Sequence, residues 1–158
     1  RALLENRIDC AVHSAKDLPD EIPGELEIAL MTPAKESMDA LVAAKGRKLA
    51  ELSPGSRIGV SSRRRKDQMR KFRPDLKLVD VRGTIGERLE QLDTGKCDAL
   101  VLAAVALTRL GWRERISDRL DPVLFPPHPL QGRLAVLVRR GDPLKEVFSR
   151  LEGGVIYA

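Results

Sequence analysis

Aromatic side chains are scarce in this sequence. They make up 3% of its 158 residues and are limited to Phe72, Trp112, Phe125, Phe148 and Tyr157. Proteins that bind single-stranded nucleic acid stack bases on exposed rings in a basic surface, so this scarcity argues against that class. Long apolar runs are also lacking, because none approaches the ~20 residues that a membrane-spanning helix needs. We therefore expect neither a membrane nor a nucleic acid as partner.

Cysteine and histidine are nearly absent as well. Cys10 and Cys97 each lie beside an aspartate within an apolar segment, which predicts neither a disulfide framework nor a cysteine-based metal site. His13 and His128 have no third ligand near them in the sequence, so no metal is expected. This cysteine usage is typical of a reducing compartment, and we predict a cytoplasmic location.

Positive charge, in contrast, is abundant and unevenly distributed. The chain has 28 Lys and Arg against 23 Asp and Glu, a net charge of +5, and 19 of the basic residues are Arg. The stretch from Arg57 to Arg88 holds 11 basic residues against four acidic ones. Since arginine grips carboxylates and phosphates through two parallel hydrogen bonds, we expect an anionic partner. The positive charge alone does not distinguish a nucleic acid from a small polyanion, but the scarcity of aromatic residues and the clustering of arginine at predicted strand ends weigh against a nucleic acid.

Apolar segments with strand character alternate with helix-like segments along most of the chain. This alternation predicts an α/β fold with mostly parallel strands, buried on both faces and flanked by helices. The predicted strands are 8–13, 26–31, 39–43, 57–60, 76–81, 98–102 and 134–138, and the predicted helices are 63–72, 84–92, 103–110 and 143–151. Breaks are expected between 32 and 37 and in the proline-rich segment 121–132, which leaves 38–126 as one compact unit.

Serine and arginine follow the predicted strand 57–60 in the motif Ser61-Ser62-Arg63-Arg64-Arg65. Serine would cap the next helix, whose free N–H groups would face the carboxyl edge of the sheet, where open α/β sheets bind ligands. Three arginines at the positive end of a helix dipole cost stability, which suggests that an anion is bound there. The alternative is a solvated basic face.

A second motif repeats this arrangement at the next predicted strand end. Arg82 ends the strand, Gly83 makes the turn, and Arg88 follows one to two helical turns later. The spacing of Gly83 and Gly86 is too short for a nucleotide-binding fingerprint. Two arginine-bearing strand ends in one small sheet favour a shared anion pocket.

The third motif, from His13 to Pro19, ends the first predicted strand. Lys16 and Asp17 would project from the carboxyl end of that strand. An aspartate beside cations stays ionised and can stabilise positive charge on a substrate or move protons. The alternative is an aspartate turn before Pro19.

Several segments resemble the porphobilinogen deaminase (hydroxymethylbilane synthase) family and occur in the family's order. The most specific are LLENRIDCAVHSAKDLP (3–19), IGVSSRRRKDQM (58–69), VRGTIGERLEQLD (81–93) and CDALVLAAVALTRLGW (97–112). Two further matches are DALV (39–42) and the looser FPPHPLQGRLAVLVRR (125–140). Together these segments span nearly the whole chain.

The resemblance implies a two-lobed fold of the type II periplasmic-binding-protein kind, with mixed, mostly parallel sheets and flanking helices. The implied domains are 1–36 with 127–150, then 37–126, and a remnant of a largely absent third domain at 151–158. The implied activity joins four porphobilinogens head to tail on a covalently held dipyrromethane cofactor, releasing ammonia, in tetrapyrrole and heme biosynthesis. The resemblance also implies a monomer.

The resemblance further assigns roles to residues that match the family's motifs. The expected catalytic residues are Asp17, which would stabilise positively charged pyrrole nitrogens, and Lys16. The expected dipyrromethane-binding residues are Ser14, Lys16, Asp17, Ser62, Arg64 and Arg65. The expected porphobilinogen-binding residues are Arg82, Arg88, Arg109 and Gln131.

Three departures from the family pattern bear on these expectations. The family has a strand and a helix ahead of the LLEN segment, a longer stretch before LEGG (151–154), and a cysteine after LEGG that anchors dipyrromethane. Here Val155 follows that segment, and neither Cys10 nor Cys97 matches the anchor. Two functions therefore stay open: the enzyme, and a non-catalytic or truncated relative that binds a carboxylated small ligand between two lobes.

Overall fold

The chain forms two compact units, and the computed structural model describes residues 1–151. Unit 1 comprises residues 1–36 and, within the described part of the chain, 128–151, and unit 2 comprises 37–127. The strands are β1 (Ala11–Ser14), β2 (Leu26–Met31), β3 (Asp39–Ala43), β4 (Arg57–Val60), β5 (Lys77–Asp80), β6 (Ala99–Ala103), β7 (Asp118–Arg119) and β8 (Leu134–Arg139). The α-helices are α1 (Arg63–Phe72), α2 (Ile85–Asp93), α3 (Ala104–Arg109) and α4 (Leu144–Ser149).

Unit 1 is built on a three-stranded antiparallel sheet in the order β1-β8-β2. The central strand β8 pairs Leu137 with Ala11 on one side and with Ile28 on the other. At the end of β1, Ser14 lies opposite Leu134, the first residue of β8. The residues that follow β1 are therefore neighbours of those that precede β8.

Unit 2 is built on a five-stranded sheet in the order β5-β4-β6-β3-β7. β4 runs parallel to both β5 and β6, whereas β3 is antiparallel to β6 and to β7. Alternate residues of the apolar strands β3 and β6 point to opposite faces, so both faces are buried. One face packs against α1 through Met69, and the other packs against α2 and α3 through Leu89 and Leu107. The unit is a three-layer α/β/α arrangement.

The expected α/β class with mixed sheets is confirmed, but the expectation of mostly parallel strands is wrong. Four of the six strand pairings within residues 1–151 are antiparallel, and only β4–β5 and β4–β6 are parallel. The apolar runs indicated burial of both strand faces, and burial does not determine the direction of the neighbouring strand.

Some predicted boundaries also need correction. β1 begins at Ala11, because the preceding Ile8 is 40% exposed and belongs to no strand. The last helix is shorter than predicted and ends at Ser149. The predicted third domain, 151–158, lies outside the described residues apart from Leu151. No helix within residues 1–151 combines the length and apolarity required to cross a membrane.

Candidate anion-binding site

The carboxyl ends of three parallel strands define one edge of the unit 2 sheet. β4, β5 and β6 all end there, and the antiparallel strand β3 begins there, with Asp39 opposite Ala103. We call this the carboxyl edge, and the opposite one the amino edge. Both arginine-bearing motifs follow strands that end at the carboxyl edge, as the sequence predicts.

Ser62 starts helix α1 at this edge, as expected for an N-cap. Its backbone is extended, and its hydroxyl oxygen accepts a hydrogen bond from the N–H of Arg65 at 3.3 Å. The cap satisfies one of the unpaired amides of the first helical turn. It also fixes where the side chains of Arg63, Arg64 and Arg65 leave the helix.

A buried carboxylate joins two of these arginines. Asp39 is 1% exposed, and each of its oxygens accepts from a different guanidinium. The distances are 2.6 Å from Arg65 Nη2 to Oδ1 and 2.7 Å from Arg64 Nη2 to Oδ2. A buried carboxylate is stable only when it is paired and hydrogen-bonded, and here two cations share it.

Arg64 has further bonds that fix its orientation. Its Nη1 donates to the carbonyl of Pro126 and, at 3.1 Å, to Gln68 Oε1. Gln68 Nε2 donates to the same Pro126 carbonyl at 2.8 Å. The side chain of Arg64 nevertheless stays 29% exposed, against 8% for Arg65. Arg64 is therefore held rigidly while part of its guanidinium remains accessible.

Arg88 connects the second motif to the first. Its Nη1 donates to Ser61 Oγ at 3.0 Å, and its Nε donates to the carbonyl of Gly83 at 2.8 Å. Gly83 has φ +100°, a conformation that side-chain-bearing residues rarely adopt, so the tight turn requires glycine. The structure thus brings Ser61, at the end of β4, together with Arg88 of α2.

Arg82 and Arg109 differ in their relation to the carboxyl edge. Arg82 is exposed directly after β5, and its guanidinium makes no hydrogen bond to any residue among 1–151. Arg109 lies in the last turn of α3, a helix that begins at this edge and leads away from it. Partial withdrawal from water lowers the pKa of Arg109. The described contacts join Arg64 to Arg65 through Asp39, and Arg88 to Ser61.

The remaining expected site residues lie in unit 1. Ser14 ends β1, and Lys16 and Asp17 fall in the 3-10 turn that follows it. Lys16 Nζ donates to the side-chain oxygen of the buried Gln131 at 3.2 Å. The carboxylate of Asp17 is exposed and has no hydrogen-bond or ion-pair partner within the described part of the chain. It is therefore accessible to a ligand.

The loop before β8 depends on one glycine beside Gln131. Gly132 has φ +90°, and a Cβ there would lie 2.5 Å from the carbonyl oxygen of Glu36. A side chain would therefore be strained in its backbone and would collide with another backbone segment. Glycine at this position allows the loop that presents Gln131 to Lys16.

Neither cysteine adds a reactive group to these clusters. Cys97 is 1% exposed within the core beneath α2, and burial raises the pKa of its thiol. Cys10 is half-buried just before β1. No group of three or more His, Cys, Asp or Glu side chains in residues 1–151 is arranged to hold a metal ion.

Asp39 is the site residue that sequence reasoning missed. The sequence does contain a pattern that indicates a buried aspartate, because Asp39 is the first residue of a strand whose other residues are all apolar. A buried acid needs a cation nearby. The spacing did not identify that cation, because Arg64 lies 25 residues further along the chain.

Comparison with known proteins places these clusters in a family context. The family described as "Porphobilinogen deaminase, dipyromethane cofactor binding domain" matches residues 1–146. Porphobilinogen deaminase of Deinococcus radiodurans is 49% identical over 144 residues, covering 90% of this chain and 47% of the relative. The Thermus thermophilus enzyme is 46% identical over 145 residues, covering 92% and 48%. The chain thus spans about half the length of the curated relatives it matches.

Solved structures with low sequence identity share the fold. A VFT2 domain of Bordetella pertussis BvgS has a TM-score of 0.56 at 15% identity, covering 98% of this chain and 65% of that one. A lipoprotein of Bacillus subtilis described as methionine-binding has a TM-score of 0.61 at 11% identity, covering 94% and 71%. These likenesses show lobes of the periplasmic-binding-protein kind. Since the family match covers most of the sequence, the chain belongs to the porphobilinogen deaminase family.

Proposed function

We propose that this chain is the cofactor- and substrate-binding part of a hydroxymethylbilane synthase, which joins four porphobilinogens head to tail with release of ammonia. The observation that carries the proposal is the basic cluster at the carboxyl edge of unit 2. Two guanidinium groups share one buried carboxylate there, and Arg88 is tied to the neighbouring strand end. The cluster keeps a net positive charge at the edge where α/β sheets bind ligands.

The chemistry of the substrate supports this assignment. Each porphobilinogen ring carries two carboxylates, so the growing product is a polyanion whose charge increases with every addition. Forked guanidinium groups suit planar carboxylates better than lysines do, since each can donate two parallel hydrogen bonds. Arg82 and Arg64 are proposed to provide accessible donors for these carboxylates.

Dipyrromethane, the cofactor that the family implies, carries carboxylates of the same kind. The donors at the carboxyl edge fit them, because Ser62, Arg64 and Arg65 present hydroxyl and guanidinium groups side by side. When bound, the cofactor supplies the pyrrole α-carbon to which the first substrate is joined. Cys97 does not fit the role of covalent anchor, because burial keeps its thiol protonated and out of reach.

The proposed catalytic role of Asp17 follows from its accessibility. Departure of ammonia breaks the carbon–nitrogen bond of porphobilinogen and leaves a methylene-pyrrole with positive charge near its ring nitrogen. An exposed carboxylate beside that N–H would stabilise the charge and could take up the proton released when the new carbon–carbon bond forms. Lys16, held by Gln131, would bind a substrate or cofactor carboxylate beside Asp17.

The second candidate function is a non-catalytic protein that binds a carboxylated ligand. Its support is the partly exposed Arg64 and the exposed Arg82 at the carboxyl edge, which suit a carboxylate whether or not turnover follows. The two functions share the anion site and differ in whether turnover occurs. Both are proposed to use a small carboxylated ligand, with the protein acting as a monomer in the cytoplasm.

Measurements of porphobilinogen turnover and of the intact protein mass distinguish the enzyme from the non-catalytic binding protein. The full-length protein is purified and incubated with porphobilinogen, and its intact mass is measured for an adduct of dipyrromethane. We expect the adduct and substrate consumption, with kcat reduced at least about 100-fold in Asp17→Asn because proton transfer and charge stabilisation are lost. Asp20→Asn, an exposed aspartate three residues away, is the matched control and should keep wild-type turnover. An unmodified, inactive wild-type protein would contradict the enzyme and leave the binding protein.

A further inference from the structure

Asp39 is the only acidic side chain among those buried below one-tenth exposure in the described residues. Its burial at 1% means that its negative charge is compensated by the groups it touches rather than by water. Those groups include the guanidinium ends of Arg64 and Arg65, one on each carboxylate oxygen. Asp39 thus places a negative charge at the ligand-facing edge of the sheet, where an anion is expected to bind.

The electrostatics of the first turn of α1 explain why such a carboxylate is needed. Arg64 and Arg65 are adjacent like charges, and both lie at the positive end of the helix dipole. Arg64 also donates to the Pro126 carbonyl and to Gln68, and Arg65 donates to the Val101 carbonyl at 3.5 Å, but these neutral acceptors do not offset the repulsion between the two cations, whereas the carboxylate of Asp39 does. With Asp39 between them, both guanidinium groups stay at the carboxyl edge with their planes fixed by short, charge-assisted hydrogen bonds.

From this geometry we infer that Asp39 is a positioning residue of the carboxylate-binding site, which orders Arg64 and Arg65 for the ligand and is not itself in contact with it. The inference rests on the proposed function, since it concerns the carboxylates of porphobilinogen and of the pyrrole cofactor. Because the arginines are already ordered, ligand binding does not carry the entropic cost of fixing two long side chains. Removal of Asp39 should therefore weaken ligand binding even though a negative charge has been taken away from an anion site.

The direction of the change in ligand affinity distinguishes a positioning role of Asp39 from a purely electrostatic one. If Asp39 acted only as a nearby negative charge, Asp39→Asn would tighten the binding of a polycarboxylate. If it positions the arginines, Asp39→Asn weakens binding, because the amide keeps one acceptor oxygen and turns an N–H donor towards the other guanidinium.

A matched control is present at the amino edge of the same sheet. Asp98 accepts from Arg57 Nη2 at 2.9 Å, from Nε at 3.2 Å and from the backbone N–H at 2.7 Å, so it is also hydrogen-bonded to a guanidinium through both oxygens, although it is more exposed than Asp39. Asp98→Asn removes a carboxylate from an ion pair of the same sheet without touching the carboxyl edge. A loss common to both variants would be structural, whereas a loss confined to Asp39→Asn is specific to the site.

The test measures KM and kcat for porphobilinogen in the wild-type protein and in both variants. We expect KM to rise at least about tenfold in Asp39→Asn and to stay at the wild-type value in Asp98→Asn, since one charged hydrogen bond is lost at the site. An unchanged or lower KM in Asp39→Asn, with an active wild type, would overturn the inference and leave the proposed function intact.

Side-chain NMR decides the inference if the wild-type protein has no activity, in which case the proposed function itself fails. The ¹⁵N signals of the arginine side chains, assigned with Arg64→Lys and Arg65→Lys, report whether the guanidinium groups are ordered. Slow solvent exchange for both in the wild type, lost in Asp39→Asn and kept in Asp98→Asn, would support positioning. Equal exchange in the wild type and Asp39→Asn would overturn it.

Discussion

The two edges of the unit 2 sheet both carry an aspartate–arginine cluster, yet the clusters are built differently. At the amino edge, Asp98 and Arg57 form a bidentate pair that is completed by the Arg57 backbone and the Lys96 carbonyl. At the carboxyl edge, one aspartate serves two arginines, and Arg82 is exposed beside it. The Arg57–Asp98 pair at the amino edge is balanced in charge, whereas two arginines share one carboxylate at the carboxyl edge.

The pKa values of Asp98 and Arg57 reflect their pairing at the amino edge. The Arg57 guanidinium, followed by the Arg57 backbone N–H, lowers the pKa of Asp98, and Asp98 in turn raises the pKa of Arg57. Each charge is thus fixed by the other. A pair whose charges are balanced needs no further ion, whereas a cluster with surplus cations favours anion binding at some cost in stability.

The largest expected loss of stability follows removal of the shared carboxylate. Asp39→Ala leaves two adjacent guanidinium groups without their common anion, and breaking a buried ion pair typically costs about 3–5 kcal/mol. Asp98→Ala should cost less, because both members of its ion pair are partly solvated. Urea unfolding at pH 7 measures both values. Equal losses would show that the two edges do not differ in the way described.

Overpacking between the edges should have the next largest effect. Gly59 lies in β4, where an added Cβ would be 2.5 Å from Leu100 Cδ2 and 2.8 Å from Val81 Cγ1. Gly59→Ala should therefore destabilise the protein by about 1–3 kcal/mol. Gly24→Ala is the control, since a Cβ added at Gly24 would have no neighbouring atom within 4 Å. A thermal melt in which both variants match the wild type would contradict the tight packing of the sheet.

The smallest expected effect is the pH dependence of the amino-edge pair. Because Arg57 lowers the folded-state pKa of Asp98, the pair stabilises the protein above the unfolded-state pKa of about 3.9. That stabilisation is lost as the pH falls through the lower, folded-state value. The difference in unfolding free energy between wild type and Asp98→Asn should stay constant near neutral pH and shrink below about pH 4. A difference independent of pH would contradict the ion pair.

The sequence predicted the carboxyl edge well because its signals are local. A serine cap, a glycine turn and arginines directly after two strands are features of neighbouring residues, and the cap at Ser62 and the turn at Gly83 are observed. Strand direction was predicted poorly, since the pairing of β3 with β6 joins segments far apart in sequence. The role of Asp39 was missed for the same reason, because its burial depends on distant cations.

The central claim is that the carboxyl edge of unit 2, and not basic charge in general, binds the ligand's carboxylates. Arg82→Gln tests it most directly, because Arg82 is exposed and its loss should change stability by less than about 0.5 kcal/mol. Arg113→Gln removes another exposed arginine, from the 3-10 turn after α3, and serves as control. The account predicts that KM for porphobilinogen rises at least about tenfold in Arg82→Gln alone. An unchanged KM in Arg82→Gln, or equal increases in both variants, would contradict it.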